Sequence, residues 1–234
     1  MSDLNVDEHL LEEVRHRLTL RDPNFQAVES VAYTMSQHYD VDEKTEPFEC
    51  IVDSATGVGK TYIMAGLIEY LASIDVPARN FLILTPGRTI RDKTVRNFTP
   101  GDDKAITKSM RVAPTVVTAD NFDSPAIAKA ISDTSKTKVY IFTVQALTKP
   151  DSDAGRATHA YQEFLGASLY EWLGKLDDLV ILADEHHCYR GPAFSSTIKN
   201  LNPELVVGVT ATPDRKDEDL VVYRYPLAKA FEEE

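Results

Sequence analysis

The sequence predicts an α/β fold: a doubly wound, mostly parallel sheet with helices on both faces. Three observations lead there. Six short runs, FECIVD, NFLILT, TVVTA, KVYIFT, DLVILA and LVVGVTA, are nearly continuous in apolar residues, as strands buried on both faces are. Longer amphipathic segments lie between several of them, and strand–helix alternation implies crossovers between parallel strands. Finally, the polar clusters SATGVGKT, DEHH and TATP each follow directly on a strand run. In a doubly wound sheet the carboxyl ends of the strands share one edge, where ligands bind. Residues around Lys60, Asp184 and Thr210 are therefore expected to meet along one crevice.

The elements follow in order. The chain opens on MSDLNVDEHLLEEV, acidic and amphipathic, unlike a secretory signal. A helix is expected from Asp22 to His38: Asp22 can cap, Pro23 suits a first turn, and Phe25, Val28, Ala32 and Met35 recur at helical spacing. The first strand run, FECIVD, leads through SATGVGKT into the helical segment TYIMAGLIEYLASI. Further helices are expected at RTIRDKTVRNF, PAIAKAISD and AYQEFLGASLYEWLGKL. Trp172 lies at helical spacing with Leu165, Leu169 and Leu176, which predicts core or interface packing. DSDAGRA, at 151–157, is expected to be a loop inside one domain. The expected layout is a helical segment over 1–45, the α/β domain over 46–226, and the start of a linker over 227–234.

Composition narrows the function classes. The chain has 234 residues, 43% hydrophobic and 26% charged, an ordinary globular balance. No apolar run is long enough to span a bilayer. Cys50 and Cys188 are far apart and form neither a disulfide framework nor a metal pattern, so a reducing, cytoplasmic setting is the expectation. Adjacent residues do not converge on one ion, which argues against zinc at His186, His187 and Cys188. A net charge of −12 argues against nucleic acid, but its distribution is uneven. From Arg79 to Arg111 eight basic residues face three acidic ones, which is +5 locally and −17 over the rest of the chain.

The chemistry gathers in the three clusters. Gly57 and Gly59 permit a tight turn that aims backbone N–H groups at a phosphate, and a helix beginning near Lys60 adds the positive end of its dipole. Lys60 can reach the β- and γ-phosphates, and the Thr61 hydroxyl can hold Mg²⁺. The P-loop pattern G-x-x-x-x-G-K-[ST] has Ser54 at its first glycine. At the second cluster, Asp184 suits the oxygen shell of Mg²⁺ and Glu185 suits activation of an attacking water.

With these residues in place, the chain resembles the first RecA-like domain of superfamily 2 helicases and translocases. Within them it is most similar to type III restriction-enzyme Res subunits. ATGVGKT is similar to motif I, LTPGRTIRDK to motif Ia, and VYIFTVQALTK to the next nucleic-acid-contacting segment. ADEHH matches a DExH-type motif II and VTATP matches motif III. The resemblance implies a RecA-like P-loop NTPase domain that binds ATP and Mg²⁺ and acts on nucleic acid, DNA rather than RNA. It places ATP at Thr56, Gly57, Val58, Gly59, Lys60 and Thr61, and Mg²⁺ at Thr61 and Asp184. It gives catalysis to Lys60, Asp184 and Glu185, and coupling to His187, Thr210 and Thr212.

In LRDPNFQ the resemblance makes Gln26 the residue that recognises adenine, although the segment departs by two residues from the usual LRxYQ form. Thr85, Arg88, Thr143 and Gln145 are the implied nucleic-acid contacts. Such motors hydrolyse ATP between two RecA-like domains, the second supplying arginine fingers. TATP lies about twenty residues before the chain's last residue. The expectation is thus a motor part that binds ATP weakly, hydrolyses it poorly alone and does not translocate. A second RecA-like domain, and nuclease or methylase subunits, are the implied partners. Two other classes stay open: a P-loop ATPase switch or small-molecule kinase without nucleic acid, and a non-catalytic nucleotide-binding interaction domain.

Overall fold

The computed structural model describes residues 5–111, 113–148, 157–186 and 191–225. Seven strands form one sheet: β1 (Phe48–Ser54), β2 (Asn80–Thr85), β3 (Thr115–Val117), β4 (Lys138–Thr143), β7 (Leu179–Asp184), β8 (Leu205–Thr210) and β9 (Val221–Tyr225). A separate two-stranded hairpin pairs β5 (Tyr161–Gln162) with β6 (Ala167–Ser168). The main sheet runs β3-β4-β2-β7-β8-β1-β9, and every pairing in it is parallel. The six expected strands are all present, so the α/β, doubly wound, RecA-like fold class holds.

The helices are α1 (Glu8–Leu18), α2 (Asp22–Ser36), α3 (Lys60–Leu71), α4 (Arg88–Phe98), α5 (Pro125–Ser132), α6 (Val144–Thr148), α7 (Leu169–Leu173) and α8 (Pro192–Asn200). They divide between the two faces because strand side chains alternate. Phe81 and Ile83 of β2 join a core with Val14 of α1, Val28 of α2, Ile63 and Leu67 of α3 and Phe98 of α4. Their neighbours Leu82 and Leu84 join the opposite core with Ile131 of α5, Leu147 of α6 and Leu169 and Leu173 of α7. Each fully buried aliphatic side chain contributes about 1.5–3 kcal/mol relative to exposure. Both layers follow from strands with no polar face.

Three details differ from expectation. The helix from Asp22 stays α-helical to Ser36 and ends in one wide π turn, Gln37–Val41. AYQEFLGASLYEWLGKL does not form one helix. Gly166, at φ +65°, closes the β5–β6 hairpin, and only Leu169–Leu173 is helical, started by a capping box between Ser168 and Glu171. Trp172 packs against the second core, as expected. The segment VVYRY, absent from the expected strands, pairs with β1 as an edge strand. Helices α1 and α2 share the first core with the sheet. The expected linker, 227–234, lies outside the described residues.

Strand order positions the site. From β1 the chain crosses to β2, leaving a gap later filled by β7 and β8. The carboxyl ends of β7 and β8 thus come to lie beside the loop that leaves β1. Register completes the alignment: Asp53 of β1 lies opposite Thr210 of β8, and Asp184 of β7 opposite Val209.

Candidate functional site

The loop after β1 begins late. Ser54 is still the last residue of the strand, buried and opposite Tyr225 of β9. Extended backbone needs no glycine, which is why serine is tolerated there. The turns fall instead at Gly57, φ +87°, and Gly59, φ +107°, a region costly for any residue with a Cβ. Lys60 then starts α3 with Gly59 as N-cap, so the helix's free N–H groups and dipole face the loop. Thr56 and Gly57 are exposed, Val58 is buried, and Thr61 is partly exposed in the first turn of α3.

Across the crevice, Lys60 Nζ donates to Glu185 Oε1 at 2.5 Å, joining residues 125 positions apart. Glu185 has a left-handed backbone, φ +55°, and its N–H donates to the Val209 carbonyl at 2.8 Å. A non-glycine residue in this region signals a constraint that the surrounding structure maintains. Thr210, fully buried, donates through Oγ1 to Glu185 Oε2 at 3.4 Å and accepts from the Thr212 N–H at 3.2 Å. The DEHH and TATP clusters thus meet through a hydrogen bond between Glu185 and Thr210. His187 lies outside the described residues.

Asp184 sits deeper, at the end of β7. Burial pushes its carboxyl up to about 6; the Lys60 cation opposes that rise and the Glu185 charge adds to it. His186 turns the other way and packs on Gly208. A Cβ at Gly208 would lie 2.6 Å from His186 Cγ, so only glycine fits beneath the ring. The imidazole lies between Glu49, with Nε2 3.6 Å from Oε1, and Asp217, with Nδ1 3.9 Å from Oδ2.

Helix α2 supports the loop from outside. Asn24, buried, donates from Nδ2 to the Val58 carbonyl at 3.0 Å, and Arg21 donates to the carbonyls of Val58 and Gly57. A Cβ on Gly66 of α3 would lie 2.8 Å from Val28 Cγ2, so the glycine permits the close approach that brings α2 to the loop. Neither supporting residue was expected. The available signal was a polar Asn24 at an inward position of an amphipathic helix. Gln26, the expected adenine residue, is exposed and accepts a hydrogen bond from the Tyr223 hydroxyl at 3.2 Å. At the edge of the crevice Arg224 pairs with Asp53 at 3.1 Å and with Glu218 at 3.0 Å.

The expected nucleic-acid residues share this edge of the sheet but differ in access. Arg88 is exposed at the start of α4, and Gln145 is partly exposed in α6. Thr85 is fully buried and its hydroxyl donates to the Phe142 carbonyl at 3.3 Å; Thr143 is buried opposite it. The Thr85 hydroxyl, expected to contact a phosphate, is thus enclosed and already bonded. Among the described residues no group of three or more His, Cys, Asp or Glu side chains could hold a metal ion by itself. No helix among them is long and apolar enough to cross a membrane.

Comparison with solved structures gives the same fold at low identity. The ATP-dependent Type ISP restriction-modification enzyme LlaBIII, bound to DNA, matches with a TM-score of 0.59 and 17% identity, over 92% of this chain and 16% of its own. A nuclease-deletion mutant of the Type ISP enzyme LlaGI, in complex with a DNA substrate mimic, gives 0.58 and 17%, over 92% and 20%. The UvsW helicase from Bacteriophage T4 gives 0.51 and 16%, over 86% and 55%. The chain thus spans about a fifth or less of the two restriction enzymes and about half of the helicase. No curated protein matches it. The family model "Type III restriction enzyme, res subunit" matches residues 17–215, a span that holds both the GKT loop and the DEHH and TATP clusters, and the chain belongs to that family.

Proposed function

We propose that the chain is the ATP-binding, N-terminal RecA-like motor domain of a DExH helicase or translocase acting on DNA, with efficient hydrolysis requiring a second RecA-like domain. The observation that carries this reading is the Lys60–Glu185 pair between the phosphate loop and the end of β7, with Asp184 buried behind it. In the nucleotide-free chain Glu185 occupies the lysine. A γ-phosphate competes for Lys60 and frees the Glu185 carboxylate to take a proton from the attacking water. The water oxygen bonds to the γ-phosphorus as the bond to the bridging oxygen breaks. ADP leaves with that oxygen.

Thr61 and Asp184, both oxygen donors, would hold Mg²⁺, an ion that keeps waters and phosphate oxygens as its other ligands. When bound, Mg²⁺ would neutralise charge on the β- and γ-phosphate oxygens. Two arginines beside the cradle are occupied: Arg21 by loop carbonyls and Arg224 by Asp53 and Glu218. Transition-state charge is then left to a cation from the second domain, a role that in GTPases is worth about 10³–10⁵ in rate. The DNA track is supported by the DNA-bound relatives and by the exposed Arg88 at the same sheet edge. Backbone contacts there hold a strand without reading its sequence.

The test is DNA-stimulated ATP hydrolysis by the full protein, with filter binding to single- and double-stranded DNA and RNA. Glu185→Gln should keep ATP binding and lose turnover by about 10²–10⁴-fold. Unchanged turnover removes the water-activating role.

A further inference from the structure

A cavity of about 570 Å³ opens directly off the phosphate loop, with Gly57 and Gly59 in its wall. The wall continues through the turn between α1 and α2, Tyr62 in the first turn of α3, and residues 103–109, which end in the short 3₁₀ helix Ile106–Ser109. None of the motifs that carry the family resemblance includes Tyr62 or this 103–109 segment.

Polarity of the cradle decides what the cavity takes. Lys60 faces Glu185 on the crevice side, which fixes the γ end of a triphosphate. In a P-loop the backbone N–H groups cradle the α- and β-phosphates while the lysine reaches the β- and γ-phosphates. The sugar and base therefore leave the loop on the side away from Glu185, past the start of α3. Tyr62 lies there, an aromatic side chain that is 43% exposed in a chain whose other large apolar side chains are mostly buried. Leu18 and Ile106 add apolar wall, and Lys104 and Lys108 add positive charge. The volume falls in the ordinary range for small-ligand pockets, about 300–1,000 Å³. Gln26 is not among the lining residues and is engaged by Tyr223.

We infer that the ribose and base of the bound nucleotide occupy the cavity between the phosphate loop and the 103–109 segment, with Tyr62 stacked on the base. This rests on the nucleotide reading above. It moves base recognition from Gln26 to Tyr62 and the segment around Ile106.

Calorimetric titration of the chain with Mg·ATP and with Mg·tripolyphosphate separates the two ideas. Tyr62→Ala should weaken ATP by about tenfold, as loss of one aromatic–base stack does, and leave tripolyphosphate unchanged. Tyr62→Phe should restore ATP affinity, and Gln26→Ala should alter it by less than about twofold. Unchanged ATP affinity in Tyr62→Ala overturns the inference. So does an equal loss of tripolyphosphate, which would make Tyr62 part of the phosphate cradle, or a loss at Gln26 with none at Tyr62. Failure of Lys60→Ala to weaken tripolyphosphate removes the cradle reading itself, and the base pocket falls with it.

Discussion

The two ends of the same parallel strands use charge in opposite ways. At the amino end, buried and half-buried polar groups are consumed by the fold. Asp178 accepts from the Arg79 N–H and from Asn80 Nδ2, both at 2.6 Å, and Arg79 donates to the Ala72 carbonyl at 2.7 Å. Lys138, almost fully buried, donates to the Asp133 carbonyl at 3.0 Å, and burial lowers its pKa. At the carboxyl end, Lys60 meets Glu185 across a crevice, Asp184 holds a proton more tightly than usual, and Gly57, Gly59 and Glu185 all have left-handed backbones. A buried charge therefore does not mark a site. In the function proposed above, what marks it is a charge whose partner is exchanged for a phosphate.

The sharpest way to break this comparison is to remove one lysine from each end. Lys60→Ala should lower nucleotide affinity by more than about 100-fold, which is about 2.7 kcal/mol, with little change in unfolding midpoint. Lys138→Met should leave nucleotide affinity unchanged and cost about 1–3 kcal/mol of stability by leaving buried carbonyls without their donor. Urea unfolding and ATP titration of both variants check the pair, and a binding defect in Lys138→Met would erase the distinction.

Asp178→Ala frees two groups at the amino end, the Arg79 N–H and Asn80 Nδ2, and should destabilise by about 1–3 kcal/mol, again with ATP affinity intact. Gly208→Ala tests the carboxyl end by crowding. A Cβ 2.6 Å from His186 Cγ displaces the ring, at a cost of about 1–3 kcal/mol for overpacking, read as a lower unfolding midpoint. A normal midpoint with the histidine NMR signal unmoved would show that the strand yields instead.

The smallest effect expected concerns pH. The Asp184 carboxyl is raised from 3.8 to about 6 on folding, so between those values the folded chain binds more protons than the unfolded one. The stability contributed by this group is full below about pH 4 and lost as pH rises through about 6. Asp184→Asn should therefore stabilise the metal-free chain at pH 7–8, by about 1–3 kcal/mol at most, and flatten the slope between pH 4 and 6. Thermal melts in EDTA across that range measure it.

The central strands and the two-glycine turn were legible because their signals are local. Strands buried on both faces have no polar alternation, and a turn with φ above +80° demands glycine wherever it occurs. The edge strand β9 was not legible, since VVYRY is partly exposed along most of its length and lacks a continuous apolar run. The β5–β6 hairpin was hidden by leucines at helical spacing, although Gly166 marked the turn. Arg21 and Asn24 were illegible for a different reason: their partners are loop carbonyls 34 to 37 residues away. Ser54 reads correctly only once the strand is seen to continue through it.

The pairing of β9 with β1 also has a mechanical side. Ala55 N donates to the Tyr225 carbonyl at 3.1 Å, and Tyr225 packs with Ala55 and Val58 of the phosphate loop. Because the two strands are parallel, a pull transmitted along the backbone at Tyr225 loads their hydrogen bonds in shear, many at once rather than one after another. A load applied at Tyr225 therefore reaches the loop between β1 and α3 before the rest of the sheet.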